Sequence, residues 1–335
     1  FWKEPVFLPK KMKKVDFKNN ISWIKDNQMS NGSIVWDDKG KCDPWDHLEC
    51  LISLAIYEEH EPFHAGIEWF LQNLNDQFLI PPLFQNQQII HDHFEFHHAP
   101  YLAVALLQYY YSTNNKKFLL DNLEVLRGIT NKTLEARDKY GYFYWATDKK
   151  GLSDNSLITA TSSIFLSLKC TSSIYKILGI RSLKLENEIA EIKKIFDLNS
   201  VRFNRDKIDR SRFSMDCYYP YLSGLLKDGN LVKSLQNFYV DGIGIKCVIE
   251  EPWVTFAESS EAIIALVRSD EKKFAEQIFN DIMKFRGDDG IFSTGYQFSE
   301  NIYWPNERST WTNAAVIIAA DALYNITDKP KAILA

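Results

Sequence analysis

The segment QYYYSTNNKKFLLDNLEVLRGITNKTLEARDKYGYFYWA, residues 108–146, contains the structural unit that decides the fold. Its apolar residues recur at helical spacing on both sides of the polar turn STNN. The second helical segment runs into a glycine-aromatic loop, YGYFYW at 140–145. The stretch therefore predicts a pair of helices, followed by a short loop that leads to the next pair.

The same order of elements recurs along the 335 residues of the chain. Gly32, Gly141, Gly242 and Gly290 begin comparable loops and lie 109, 101 and 48 residues apart, which fits a repeat of about 50 residues. Helical periodicity predicts about twelve helices. Their predicted spans are 15–27, 44–59, 61–75, 97–113, 115–138, 155–178, 180–197, 214–227, 229–240, 254–268, 270–286 and 310–325.

Alternate helices differ in composition. The even-numbered ones are apolar and small, as in NAAVIIAADAL at 313–323, whereas odd-numbered ones such as LKLENEIAEIKKIF at 183–196 are charged and amphipathic. A helix pair cannot bury its own apolar faces, so six pairs must stack. We predict an all-α fold, an (α/α)6 toroid with two concentric layers, in one domain over 15–327. Residues 1–14 form a predicted N-terminal arm, and 328–335 a C-terminal tail.

Composition excludes several classes of protein. The net charge of -5 gives no basic field for nucleic acid. Five scattered cysteines in a chain of this size are typical of reduced thiols. No apolar run reaches the ~18 residues of a membrane span, and FWKEPVFLPKK lacks the order of a secretory signal. A cytoplasmic location is expected, and the oligomeric state stays open.

Unusual residues gather where the even-numbered helices begin. The motifs are DPWDHLE (43–49), HDHFEFHH (91–98), SDNS (153–156), SMDCYYP (214–220), EEPWVTFAESSE (250–261) and WPNERSTWT (304–312). A helix start needs a cap and an acidic first turn, but it does not need Trp beside Asp, His, Arg and Tyr. Since all inner helices would begin at one rim, the motifs predict a single lined pocket there.

The candidate catalytic residues are carboxylic acids within these motifs: Asp46, Asp216, Glu258 and Glu307. The candidate substrate-binding residues are mostly aromatic: Trp36, Trp45, His47, Trp145, Tyr218, Tyr219, Trp253, Trp304, Arg308 and Trp311. Structural roles compete with these assignments. The acids also suit a helical first turn, the tryptophans could fill the funnel, and Asp43 and Ser214 could be N-caps.

The histidines of the 91–98 motif, His91, His93, His97 and His98, suggest a metal site. A solvated loop is the competing interpretation, because acids alternate with the histidines. We predict no metal and no cofactor.

The helix, polar turn, helix and glycine-aromatic loop of 108–146 resemble the hairpins of six-hairpin glycosidases. Gln28, Gly32 and Trp36 also loosely resemble the repeats of squalene cyclases and protein prenyltransferases. Through DPWDH, SMDCYYP, PWVTFAE and WPNERSTWT the chain is similar to uncharacterised bacterial prenyltransferase-like proteins.

Two departures separate the chain from the enzymes of the second resemblance. It has no DxDD motif, which supplies the acid of class II terpene cyclases. Its last histidine is His98, so Asp216 and Cys217 lack the later histidine of a prenyltransferase zinc site.

Carboxylates and aromatic faces without a phosphate loop favour a sugar or oligosaccharide substrate. We predict a carbohydrate-active enzyme, a glycoside hydrolase that uses one protonated and one ionised carboxyl group. Asp46 or Glu307 is the predicted acid, and Asp216 or Glu258 the base.

Three competing functions remain open. A terpenoid cyclase or prenyltransferase-like enzyme would take a prenyl lipid and have one buried acid in an apolar pocket. A sugar isomerase or epimerase would use His47 and one histidine of the 91–98 motif. A non-catalytic toroid that binds sugar or protein would keep the aromatic residues but hold the carboxylates too far apart to cooperate.

Overall fold

The computed structural model describes residues 12–153, 155–204, 209–227 and 229–335. Within these ranges the helices are Lys18–Asp26 (α1), Pro44–Ile56 (α2), His60–Gln72 (α3), Leu102–Thr113 (α4), Lys116–Asp121 (α5), Leu123–Glu135 (α6), Ile158–Leu178 (α7), Leu183–Ile195 (α8), Ser214–Ser223 (α9), Leu231–Leu235 (α10), Phe256–Arg268 (α11), Lys272–Met283 (α12) and Thr310–Tyr324 (α13). The strands are short: Lys41–Cys42 (β1), Phe84–Gln85 (β2), Gln88–Ile89 (β3), Phe94–Glu95 (β4), Ala146–Asp148 (β5), Gly151–Leu152 (β6), Tyr239–Val240 (β7), Gly244–Ile245 (β8), Trp253–Thr255 (β9), Gly295–Gln297 (β10) and Ile302–Tyr303 (β11).

Six helices form a closed inner ring. In chain order α2, α4, α7, α9, α11 and α13 each pack against the next, and α13 packs against α2. The other helices lie outside them; for example, α1 packs on α13, α3 on α2, α8 on α7 and α12 on α11. This arrangement is the predicted (α/α)6 toroid, and the prediction of an all-α fold class is confirmed.

The two layers follow from composition. Every residue of α13 from Thr312 to Tyr324 is buried, because the helix has neighbours on all sides. On α12 the buried apolar residues are Ala275, Ile278, Phe279 and Ile282, which share one face at helical spacing. A helix that is apolar all round is stable only inside the ring, and an amphipathic one only outside it.

Two predicted segments differ from the structure. Segment 115–138 is two helices, α5 and α6, which meet at Asn122; the Asn122 side-chain amide donates to the Phe118 carbonyl oxygen at 2.8 Å and satisfies the end of α5. Segment 229–240 is helical only over α10, because Tyr239 and Val240 pair with β8. Aromatic and β-branched residues favour this extended pairing.

The predicted repeat has a structural basis in three loops. The side chains of Gln28, Arg137 and Arg286 each donate to the carbonyl oxygen of the glycine four residues later, at 2.8–2.9 Å. These glycines have positive φ angles, 96° at Gly32. A Cβ at Gly32 would also lie 2.1 Å from the Ala65 carbonyl oxygen, so the turn requires glycine.

The end of the ring remote from the helix starts is covered by the C-terminal residues. Ala332 and Ile333 are buried, the Ala332 amide donates to Gln108 Oε1 at 2.9 Å, and Arg268 donates to the Ile333 carbonyl oxygen at 3.1 Å. Segment 328–335, expected as a tail, thus packs on the toroid. Most of the predicted arm, residues 1–11, lies outside the described residues.

Two further observations concern the cysteines and the helices. All five cysteines are free. Among the helices in the described ranges, none combines the length and the apolar character that a membrane crossing requires.

Candidate active site

A cavity of about 510 Å³ opens where inner helices begin. Four of these helices contribute the first residues of their N-terminal turns, and the loops that precede α4, α7 and α9 complete the wall. The lining residues are Trp45, Glu95, His97, Trp145, Asn155, Leu157, Thr159, Ala160, Arg210, Phe213, Met215, Asp216 and Glu258. The helix starts thus gather at one rim, and the cavity between them is the candidate active site.

Asp43 and Pro44 explain how α2 begins. The Asp43 carboxylate accepts a hydrogen bond from the Trp45 amide at 2.7 Å, and Pro44 occupies the first helical position. Asp43 is therefore an N-cap, whereas Ser214 is not: it is the first helical residue of α9, after Phe213 at the cap. Capping fixes Trp45 in the first turn, where its ring reaches the cavity.

Asp216 is buried in the cavity wall. Its Oδ1 accepts hydrogen bonds from the Thr159 amide at 3.1 Å and the Thr159 hydroxyl at 2.6 Å, and its Oδ2 lies 3.3 Å from Arg210 Nε. Burial raises the pKa of Asp216, while Thr159 and Arg210 act in the opposite direction by stabilising the ionised form. The carboxyl group also caps α7, since Thr159 lies in the first turn of that helix.

Glu258 lies in the first turn of α11 and is 8% exposed. Burial raises its pKa from 4.5 to about 7, against a smaller opposing effect of Cys247. A carboxyl group with this pKa still holds its proton in about half of the molecules at neutral pH. Glu258 is thus able to act as a proton donor inside the cavity.

Asp46 and Glu307 lie outside the set of lining residues. Burial raises the pKa of Asp46 well above its usual value, and the neighbouring Asp43 and Glu49 raise it further. Glu307 accepts a hydrogen bond from the Thr294 hydroxyl at 3.1 Å, next to β10. Of the four predicted acids, the structure brings Asp216 and Glu258 into the cavity.

Two buried carboxyl groups were absent from the prediction. Glu49 accepts hydrogen bonds from Trp311 Nε1 at 2.7 Å and from the Tyr101 hydroxyl at 3.1 Å, and burial raises its pKa to about 7. Glu261 accepts a hydrogen bond from the Tyr218 hydroxyl, and burial raises its pKa well above its usual value. Glu49 follows Asp46 by three residues, and Glu261 follows Glu258 by three. Residues three apart lie on one face of a helix, so this spacing could have identified both acids from the sequence.

The predicted aromatic residues fall into three groups. Trp45 and Trp145 line the cavity. Tyr218, Tyr219 and Trp311 are behind it: the Tyr219 ring lies 5.5 Å from that of Trp45, and the other two bind the carboxyl groups of Glu261 and Glu49. Trp36 and Trp304 lie in loops and Trp253 begins β9. Lys41 Nζ lies 3.7 Å above the Trp36 ring, and Trp253 Nε1 donates to the Trp304 carbonyl oxygen at 2.7 Å.

The structure places His47 and Arg308 away from the cavity. His47 is fully buried; its Nδ1 accepts from the Ile34 amide at 3.1 Å and its Nε2 is 3.0 Å from the Gly66 carbonyl oxygen. Arg308 donates to Asp289 Oδ1 at 2.6 Å, on the loop before β10. Their partners are backbone and loop groups, so we assign neither residue to substrate binding.

The histidine motif is divided between surface and interior. His91 is exposed and His93 half-buried, as a solvated loop predicts, but His97 and His98 are buried and stack on each other with ring centroids 4.3 Å apart. Burial and His98 hold the pKa of His97 well below its usual value. Burial alone would lower the pKa of His98, but Asp43, 3.5 Å from Nε2, raises it.

Metal binding by this motif is poorly supported by its geometry. Ligand atoms of Glu95, His97 and His98 lie within 4.8 Å of one another. However, the two rings are only 29° from parallel, so their in-plane lone pairs do not converge on one point. Glu95 Oε2 also already accepts a hydrogen bond from Trp145 Nε1 at 3.0 Å. The arrangement suits a positioning network for Trp145 better than a metal centre.

No family model matches the sequence. A relative, the MMP endo-(1,4)-3-O-methyl-alpha-D-mannosidase of Mycolicibacterium hassiacum, is 28% identical over 308 residues, which cover 91% of this chain and 85% of the relative.

Solved structures share the fold at lower identity. A novel alpha-amylase from Clostridium perfringens has a TM-score of 0.68 and 12% identity, covering 94% of this chain and 99% of its own. A D-mannose isomerase has a TM-score of 0.72 and 10% identity, with 97% and 100% covered. A sugar epimerase from a ruminal bacterium has a TM-score of 0.63 and 13% identity, with 91% and 96% covered.

The solved structures share the fold of this chain, the toroid predicted from the sequence. The predicted class of protein, a carbohydrate-active enzyme with glycoside hydrolysis as the first choice, agrees with them.

Proposed function

We propose that this chain is a glycoside hydrolase that cleaves an α-mannose-containing oligosaccharide, with Glu258 as the general acid and Asp216 as the ionised partner. The observation that carries the proposal is that both carboxyl groups line one cavity walled by two tryptophans. Their surroundings differ in the way that the reaction requires. Glu258 has apolar burial and a pKa of about 7, whereas Asp216 has a cation and two donors.

In the proposed reaction Glu258 donates its proton to the glycosidic oxygen, so that the leaving sugar departs as an alcohol. Asp216 then acts in one of two ways: its carboxylate removes a proton from the attacking water, or it attacks the anomeric carbon and the ester is hydrolysed in a second step. The first route inverts and the second retains the anomeric configuration. The anomer of the first-formed product distinguishes the two routes.

This assignment changes the predicted roles. The sequence placed the acid at Asp46 or Glu307 and the base at Asp216 or Glu258. We assign the acid to Glu258 because it lines the cavity and has a pKa of about 7. Asp46 remains the strongest substitute, since burial and its neighbours raise the pKa of its carboxyl group as well.

The walls of the cavity suit a sugar that carries apolar groups. Trp45 and Trp145 line the cavity, and aromatic rings of this kind stack on the apolar faces of sugar rings. Leu157, Phe213 and Met215 add aliphatic and aromatic surface beyond them. The relative of 28% identity is named for a 3-O-methylated mannoside, and a methyl ether would favour such walls. Oligosaccharides of α-(1,4)-linked mannose, with and without 3-O-methylation, are therefore the first substrates to test.

A sugar isomerase is the second candidate. His97 lines the cavity and is neutral, because burial and His98 lower its pKa, so it could accept a proton from a sugar carbon. An open-chain aldose or ketose converted without loss of a glycosidic bond would identify this activity.

A terpenoid enzyme fits the cavity less well than a sugar enzyme does. It was expected to have one buried acid, but Asp216, Glu258, Glu49 and Glu261 are all buried at or near the cavity. A non-catalytic toroid would bind mannose oligosaccharides without turning them over.

The cytoplasmic location stays a prediction, to be tested by fractionation of cells.

The test is a set of isosteric variants assayed on the mannose oligosaccharides. Glu258→Gln and Asp216→Asn should each lower kcat by about 10²–10⁴. Glu307→Gln is the matched control, because Glu307 does not line the cavity, and it should retain nearly full activity. Loss of activity in Asp46→Asn but not in Glu258→Gln would move the acid to Asp46. Full activity in all variants would refute the carboxylate mechanism.

A further inference from the structure

A second cavity of about 420 Å³ lies beside the first and shares Trp145 with it. It is lined by the β5–β6 hairpin, including Asp148, Lys150 and Leu152, and by Asp92 and His93 of the segment before β4. None of these five side chains has a role in the mechanism proposed above.

Trp145 is held rigidly between the two cavities. Its indole Nε1 donates to Glu95 Oε2 at 3.0 Å, its amide donates to the Asn155 carbonyl oxygen at 2.7 Å, and its own carbonyl oxygen accepts from Phe96 at 3.0 Å. His93 Nε2 is 3.1 Å from the other oxygen of Glu95, and its ring lies 5.9 Å from that of Trp145. A fixed aromatic ring that faces two cavities costs little side-chain entropy on binding.

The β5–β6 hairpin and the segment before β4 give the second cavity both apolar and polar surface. Leu152, a residue of strand β6 that lines the cavity, is 53% exposed and presents free apolar surface. Lys149 Nζ lies 3.3 Å from Asp92 Oδ2 and joins the hairpin tip to the opposite wall. Polar groups around an apolar platform are what a sugar ring with an apolar face and hydroxyl edges requires.

We propose that this second cavity is a sugar-binding subsite, and that the substrate is an oligosaccharide that extends across Trp145 from one cavity into the other. The proposal rests on the proposed glycosidase function and adds to it where the rest of the chain is bound. It requires affinity to rise with the length of the oligosaccharide.

The test measures binding by calorimetry to the Glu258→Gln variant, using an α-(1,4)-linked mannose disaccharide and hexasaccharide. The hexasaccharide should bind at least about tenfold more tightly. Adding Leu152→Arg places a bulky side chain in the second cavity and should remove this advantage. Leu120→Arg is the matched control, since Leu120 is equally exposed at 51% but lies on α5. If Leu152→Arg fails to fold, Lys150→Ala takes its place, because Lys150 is exposed on the same wall.

The outcomes separate the two proposals. If the native enzyme cleaves the hexasaccharide, but affinity is independent of length or the advantage survives Leu152→Arg and Lys150→Ala, the subsite is wrong and the glycosidase function stands. If neither sugar binds and neither is cleaved, both proposals are wrong for this class of substrate. Loss of the advantage in Leu120→Arg as well would also overturn the subsite.

Discussion

Replacing Glu258 by glutamine should inactivate the enzyme and stabilise it at alkaline pH. The pKa of Glu258 is raised by burial from 4.5 to about 7. Below pH 4.5 the carboxyl group is protonated in both the folded and the unfolded state, so it has no effect on the pH dependence. Between pH 4.5 and 7 the unfolded state loses the proton first, and the free energy of unfolding falls as pH rises.

The size of this effect follows from the shift. At about 1.36 kcal/mol for each pKa unit, the rise from 4.5 to about 7 corresponds to about 3 kcal/mol, fully developed above pH 7. Glutamine has nearly the same shape and no charge. The variant should therefore be about 3 kcal/mol more stable than the native chain at pH 8 and similar to it at pH 4, although its kcat falls by about 10²–10⁴.

Urea denaturation at pH 4 and pH 8, followed by circular dichroism, measures the difference in stability. The pH profile of kcat/KM provides an independent check, because loss of the proton from Glu258 should reduce activity above about pH 7. A variant that is equally or less stable than the native chain at pH 8 would refute the argument that the carboxyl group is desolvated. A native profile that stays flat to pH 9 would remove Glu258 as the acid.

Three further predictions concern other parts of the chain. Arg210→Gln should raise the pKa of Asp216, because the cation 3.3 Å away is lost, and the acidic limb of the kcat/KM profile should move to higher pH with about tenfold lower activity at neutral pH. His47→Gln should cost about 2 kcal/mol of stability at pH 8, measured by urea denaturation, through the hydrogen bonds to Ile34 and Gly66. Because the folded-state pKa of His47 is about 4, its stabilising effect is complete above pH 6.5 and is lost as pH falls to 4; the variant should lack this dependence. Overnight dialysis against a chelator should leave the hydrolysis rate unchanged, and loss of activity restored by a divalent ion would return the 91–98 histidines to consideration as ligands.

The fold could be predicted because the helical periodicity within each segment agrees with the repeat of helix pairs along the whole chain. Segment 108–146 contains both helices and the loop of one repeat, and the outer helices carry charge where the inner ones carry alanine. One error occurred where a side chain satisfied a backbone group in a way that periodicity does not report, and the other where residues of a predicted helix pair as a strand. Asn122 is an example, since its side chain ends α5 inside an otherwise continuous helical pattern.

The structure brings residues from several predicted motifs into one cavity, but the sequence did not specify the positions of individual side chains. Position at a helix start places a residue near the rim, but it does not specify which way the side chain points. His47 is one residue after Asp46, yet it faces the adjacent helix α3 and the 31–36 loop. Arg210 was overlooked because it precedes α9 in a loop, where no periodicity predicts its direction.

Glu49 and Glu261, the two acids absent from the prediction, lie one helical turn further into the ring. An ionised carboxylate without donors would be very costly there, and the structure provides donors: Trp311 and Tyr101 for Glu49, and Tyr218 for Glu261. Each lies one turn beyond a first-turn acid on the same helix, so charge on one carboxyl group raises the pKa of the next. The raised pKa values of Asp46 and Glu261 are therefore a property of the whole group of acids. Removing Glu49 should therefore lower the pKa of both Asp46 and Glu261. If each acid were affected by its own burial alone, the pKa values would not change.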